Sequence, residues 1–313
     1  MTVAEERAAR PACVTVAEER RRNNLGVACV VGSAVAFGAM VILARLAFAS
    51  GADSVTLLAL RFAIASLLML SMLRIRAKAM PRGSTLGALI ALGALGYGGQ
   101  AITYFTALSL APAGVAALLL YLHPALVALL AAMFLRERLT RRKLVALMLA
   151  LTGTTLTVVP AISGDAIAGA PQVAVGMAFA VASAAFYAVY IVGAAALATR
   201  SEAAAMSAVV ITSAAIVFIA AMLVRGPHWP HTLVGWAAIA GIALLCTVVA
   251  ITLYFAGLER IGPVRASTLS TIEPLCAVVF AASVLGEALA PVQLAGGALI
   301  LVGAVGIAKA RGA

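Results

Sequence analysis

Long apolar runs separated by short polar or basic stretches organise the chain from residue 25 onward. Ten of them, here spans 1 to 10, stand near residues 25–48, 54–73, 84–108, 112–134, 142–160, 173–197, 203–224, 234–258, 263–285 and 291–309. A helix of about 20 apolar residues crosses the hydrocarbon core of a bilayer. None of the runs shows the two-residue alternation of barrel strands, and helices are the other way to satisfy a backbone in lipid. The pattern therefore predicts an all-α membrane protein of ten transmembrane helices. Residues 1–24 read differently: they are charged, repeat TVAEER at Thr2 and Thr15, and lack apolar periodicity. They are expected to form a disordered tail. Span 1 follows Arg20, Arg21 and Arg22 as the core of a signal peptide would. It is too long for that and has no cleavage site, so it is read as a retained helix.

Composition agrees with lipid as the solvent, since 64% of the 313 residues are hydrophobic and only 11% charged. The net charge of +11 raises the question of nucleic acid. A nucleic-acid binder clusters its cations on a folded surface, whereas here they punctuate membrane-length runs, so no nucleic-acid partner is expected. With a cytoplasmic N-terminus, the tail holds five Lys or Arg, and the segments after spans 2, 4, 6 and 8 and the C-terminus hold four, five, one, two and two. The opposite side holds Arg225, and Arg45 and Arg61 lie within spans. This is the positive-inside asymmetry, and it places both termini in the cytoplasm, with a bacterial inner membrane as the expected location. Cys13, Cys29, Cys246 and Cys276 show no metal-ligand or redox spacing and read as small hydrophobes.

Sliding the chain against itself by 150 residues aligns ITYFTALSLAPAGVAALLLYLHPALVALLAAMFLRERL with TLYFAGLERIGPVRASTLSTIEPLCAVVFAASVLGEAL without a gap. Tyr104 meets Tyr254, Phe105 meets Phe255, Pro124 meets Pro274, Glu137 meets Glu287 and Gly153 meets Gly303. Apolar composition alone matches mainly Ala and Leu, so these coincidences mark a duplication. Residues 25–160 and 173–309 are its two halves. Five spans in each half, an odd number, give the halves opposite directions through the membrane, as inverted repeats. With LALRFAIASLLML opening span 2, HPALVALLAAMFLRERLTRRKLVALMLALTG across spans 4 and 5, and PVRASTLSTIEPLCAVVFAASVLGEALAPVQLAGGALILVG across spans 9 and 10, the chain resembles the EamA-type members of the drug/metabolite transporter superfamily. The resemblance implies a ten-helix transporter with a central cavity, usually an exporter of amino acids, nucleosides, other metabolites or drugs.

Four residues of ionising types lie inside spans, where a charge costs about 2.5–3.5 kcal/mol on insertion scales and so faces a cavity or a partner. Arg45, near the outer end of span 1, can snorkel and reads as structural; Arg61, two turns into span 2, either snorkels or faces the outer pathway. His123 and Glu273 each stand about ten residues into their spans, roughly 15 Å at 1.5 Å per residue and half the core thickness. They coincide under the 150-residue shift, and each precedes a proline, Pro124 or Pro274, that frees backbone carbonyls nearby. Glu273 is the only acidic residue in any span, so it can bind a proton or a cationic group of the substrate. The competing reading for both is plain packing. Further candidates for the cavity wall are Tyr97, Gln100 and Tyr104 in span 3, Thr247 and Tyr254 in span 8, and Ser270 in span 9 beside Ser267 and Thr271. Span 6 adds Ser183, Tyr187 and Tyr190. Tyrosines there can stack on or hydrogen-bond a ligand, or pack between helices. Glu137 and Glu287, before the starts of spans 5 and 10, read as structural turns that complement helix N-termini.

The leading expectation is a secondary transporter exporting a small metabolite, an amino acid or a similar amphipathic compound, with no cofactor. Proton antiport through Glu273 and facilitated diffusion are both open, as are export against import and the oligomeric state. No phosphate loop or HExxH pair supports an ATPase or a metalloprotease. The alternative class is an intramembrane enzyme or a non-transporting membrane partner using the His123 and Glu273 pair, which lacks a nucleophile or metal beside it.

Overall fold

A computed structural model describes residues 16–77, 79–111, 116, 119–158, 171–198, 202–285 and 290–309, all of them helices and short connections. Residues 1–15 of the tail, parts of span 4, Cys13 and Glu287 lie outside the described residues. The first helical rod is α1 (Val16–Gly38) and α2 (Met40–Ala49), followed by α3 (Ser54–Ile75). Next come α4 (Gly83–Ala91) and α5 (Gly98–Leu110), joined without a break by a π-helical segment, Leu92–Tyr97. The first half ends with α6 (His123–Phe134) and α7 (Arg141–Val158). The second half has α8 (Pro171–Leu197), α9 (Ala203–Arg225), and α10 (Leu233–Ala243) joined to α11 (Ala250–Ile261) by a second π segment, Leu244–Val249. It ends with α12 (Pro263–Ser270), α13 (Ile272–Leu285) and α14 (Pro291–Lys309).

Eight helices among the described residues are long and apolar enough to cross a membrane, and His123–Phe134 is a shorter apolar one. Predicted spans 4 and 5 are not among the eight, and residues 112–115, 117 and 118 of the one and 159 and 160 of the other lie outside the described residues. Span 4 is described as a helix from His123 after a turn at Tyr121 and Leu122, and α7, on span 5, opens with Arg141, Arg142 and Lys143. The tail is also shorter than expected. Helix α1 begins at Val16, well before Leu25, because AEERRRNN is a competent helix former that extends the first rod beyond the apolar run.

The two prolines account for breaks at matching places. Proline has no N–H to donate to the carbonyl four residues back, and the helix of span 9 is interrupted at Thr271, 150 residues from Tyr121. Asp53 starts α3 by accepting a 2.9 Å bond from the Thr56 amide, while Gly262, at φ 78°, makes the sharp corner between α11 and α12 that a side chain would resist.

Packing couples the halves throughout. The broadest contacts are α7 with α14, α3 with α9, α1 with α11, and α5 with α8; α1 also meets α13, and α6 meets α8. Shifting every residue by 150 exchanges these pairs among themselves. Small residues set the close approaches. A Cβ at Gly153 would lie 2.6 Å from the Gly296 carbonyl oxygen and 2.8 Å from the Ile300 nitrogen, and one at Gly303 would lie 2.8 Å from the Ala146 oxygen and 3.1 Å from the Ala150 nitrogen. Gly26 against Ile261 and Arg260 has the same relation to Gly176 against Ala111 and Leu110. Without a solvent-driven force between helices in lipid, such backbone-to-backbone fits are a main source of cohesion.

Candidate functional site

Arg61 points inward from α3 and is only 3% exposed. Its Nε donates to Thr247 Oγ1 at 3.2 Å, one terminal nitrogen donates to the Met40 sulfur at 3.0 Å, and the other to the Tyr97 hydroxyl at 3.4 Å. The guanidinium also lies 4.6 Å from the centre of the Phe62 ring. Thr247 belongs to the π segment of one half, Tyr97 to that of the other, and Met40 opens α2 just after the break in the first rod. Helix irregularities of this kind gather at functional sites, and three of them meet on one cation. The snorkelling alternative for Arg61 is therefore replaced by burial: its partners lie inside the bundle. Met40 and Phe62 were not legible as neighbours, because depth along a helix does not give its rotation.

His123 is 2% exposed, and its Nδ1 lies 3.1 Å from the Leu120 carbonyl oxygen, the acceptor that the missing N–H of Pro124 leaves free. A carbonyl only accepts, so Nδ1 carries the proton, and in the neutral ring Nε2 is left as an acceptor. That Nε2 is buried with no hydrogen-bond partner. The ring rests 4.6 Å, centre to centre, from Tyr187 and 6.2 Å from Tyr121. Tyr187 stacks on Tyr190 at 6.0 Å, and Tyr190 on Tyr97 at 5.4 Å.

Glu273, in the first turn of α13, is half-buried and makes no hydrogen bond or ion pair among the described residues. Arg61, Tyr97, Tyr104, Tyr121 and Tyr187 all lie within its electrostatic reach. Tyr254 joins the same cluster through Tyr187 and Tyr190. All six tyrosines of the chain thus gather around His123 and Glu273. Gly38 brings α1 against the turn that holds Glu273, with a would-be Cβ 3.2 Å from the Glu273 carbonyl oxygen.

The remaining predicted residues divide. Gln100 donates to Ser183 Oγ at 3.4 Å, and that hydroxyl donates back to the Gln100 carbonyl at 2.9 Å, tying α5 to α8. Tyr104 is partly open, whereas Tyr254 is buried with its hydroxyl unpartnered. Thr247, besides accepting from Arg61, donates to the Ile242 carbonyl at 3.0 Å. The Ser267, Ser270 and Thr271 hydroxyls are spent on carbonyls of their own helix, Ser270 on Ser267 at 2.7 Å. Those three offer little to a ligand as they stand.

A second polar network lies at the opposite ends of the helices. Lys143 pairs with Glu137 at 3.0 Å and donates to the Arg138 carbonyl at 3.1 Å. Arg265, which sequence reasoning counted among loop cations, is buried and donates to the Ile307 and Ala308 carbonyls, capping α14. Asn23 donates to Ala308 as well. Among the described residues no group of three His, Cys, Asp or Glu side chains is placed to hold a metal ion.

A profile of the EamA-like transporter family matches residues 24–159 and again residues 174–309. Among solved structures, 29 chains match. One, described only as "Crystal structure of protein", superposes with a TM-score of 0.80 at 21% identity, over 92% of this chain and 98% of its own. At that identity the likeness speaks for the fold. No curated protein matches.

Proposed function

Because the chain belongs to the EamA-like transporter family and is a multi-pass membrane protein of the drug/metabolite transporter superfamily, we propose that it is a secondary transporter. It exports a small metabolite across a bacterial inner membrane by alternating access. The two halves are inverted repeats with cytoplasmic termini, and the substrate sits between them near the midplane. Supporting this are the uneven Lys and Arg distribution, the odd number of spans in each half, and helix contacts that the 150-residue shift exchanges. No cofactor takes part.

One observation carries the reading. Glu273 is a half-buried carboxyl at mid-span with no ion-pair partner among the described residues, inside a ring of partly open tyrosines. A lone carboxyl at that depth has few uses other than holding a proton or a cation in turn. Occupancy by one excludes the other, and this exclusion couples export to proton entry. His123 Nε2 is an acceptor waiting for a donor on the substrate.

The test uses purified protein in proteoliposomes loaded with a pH-sensitive dye and challenged with pools of radiolabelled metabolites; a growth screen of an overexpressing strain against toxic metabolites selects the pools. Wild-type protein should move one pool with proton counterflow. Glu273→Gln keeps the shape and removes the titration, so it should fold but lose coupled transport. Transport at the wild-type rate with unchanged pH dependence would make Glu273 structural and leave facilitated diffusion as the account.

A further inference from the structure

The guanidinium of Arg61 is poorly served by the protein. Its acceptors are all neutral: a threonine hydroxyl, a phenol at the long distance of 3.4 Å, and a thioether. Thioether sulfur is a weak acceptor, whereas a carboxylate oxygen accepts from a guanidinium in a short, strong bond between two ions. Met40 is partly open, whereas Arg61 is buried. Methionine is flexible enough to move aside without disturbing its helix. Glu273 is near enough to act on Arg61 electrostatically but is not bonded to it.

The geometry points to an anion subsite in which a carboxylate of the transported compound displaces the Met40 sulfur and binds the terminal nitrogen of Arg61. The inference rests on the transport reading above and narrows its substrate to compounds with a carboxylate end. A singly charged carboxylate takes the place of the sulfur at that nitrogen and leaves the other two donors on Thr247 and Tyr97. A doubly charged phosphate would meet the nearby Glu273 carboxylate as well, so it is disfavoured.

The probes are phenylacetate and inorganic phosphate, each tested for its effect on the melting temperature of the full chain in detergent. Phenylacetate should stabilise the wild type, and Arg61→Gln should weaken its binding at least tenfold, about what one charge-assisted bond contributes. Met40→Leu removes the competing acceptor with little change in volume, and should tighten phenylacetate binding about two- to fivefold. Phosphate should do much less than phenylacetate. The leucine variant decides the matter alone if the glutamine variant does not fold. The subsite is overturned if phenylacetate does not stabilise the wild type, if Met40→Leu leaves its binding unchanged or weaker, or if phosphate matches it. Glu273-dependent transport of labelled pools that persists in those cases leaves the transporter standing, whereas proteoliposomes that move no pool sink the transport reading itself.

Discussion

Replacing Gly38 by alanine tests whether the α1–α13 contact sets the position of Glu273. The added Cβ would lie 2.6 Å from Cys276 Cβ, 3.1 Å from the Ala277 nitrogen and 3.2 Å from the Glu273 oxygen. Carbon atoms rest comfortably at about 3.5–4.0 Å, so the helices must part by about 1 Å, and two of the three obstacles are backbone that cannot rotate away. Overpacking of this kind costs about 1–3 kcal/mol. Helix propensity returns at most about 1 kcal/mol, and less here because Gly38 ends its helix, so the net loss should be about 1–2 kcal/mol. Gly87 is the internal control: it lies within α4 with nothing inside 4 Å of its would-be Cβ. Its alanine variant should gain about 0.5–1 kcal/mol. Thermal melts in detergent and transport in proteoliposomes read both quantities. Gly38→Ala should melt lower and transport more slowly, while Gly87→Ala should melt slightly higher and transport normally. Equal behaviour of the two variants would refute the claim that this contact positions the carboxyl.

Lys143→Met should lower stability by about 1–3 kcal/mol, below the full cost of breaking a buried pair because Glu137 keeps some exposure; Glu137→Gln should cost less, since Lys143 retains the Arg138 carbonyl. Melting curves of the two variants give the ranking. Burial opposes the charge on Asp53, but bonds from Thr56 and the nearby His228 outweigh it and hold the carboxyl below its ordinary range. Its stabilisation is therefore present above the unfolded value of about 3.9 and lost as pH falls through the lower folded value. Asp53→Ala should cost about 1 kcal/mol at pH 7, and the difference in melting temperature from wild type should shrink in acid.

What could be read from the chain and what could not follow different physics. The duplication was legible because Pro, Gly and Glu recur for backbone and charge reasons that lipid does not supply by default, and the same residues mark His123 and Glu273. Arg61 resisted reading because its depth is linear information, whereas its partners Met40, Tyr97 and Thr247 depend on how three helices rotate. The π segments leave no trace in hydropathy, since one extra residue per turn preserves the apolar run. The hydroxyls of Ser267, Ser270 and Thr271 could have been discounted, because serine and threonine inside a helix readily bond back to its own carbonyls. Arg265 sits next to a predicted span end and looked solvated, but its fork reaches the end of a helix more than 40 residues away.

The contact between α7 and α14 has a consequence for descent. Gly153 meets Gly296 and Ile300, and Gly303 meets Ala146 and Ala150, which are the same positions read from the other side. Such a surface is isologous: every residue on it serves as both donor and recipient of the fit. A single unfused unit bearing such a surface would be complementary along this seam to a second copy of itself. Fusion then frees each copy to diverge, and Arg61, facing Ile211 in the alignment, together with His123 opposite Glu273, are differences that a strict dimer could never have carried on one side alone.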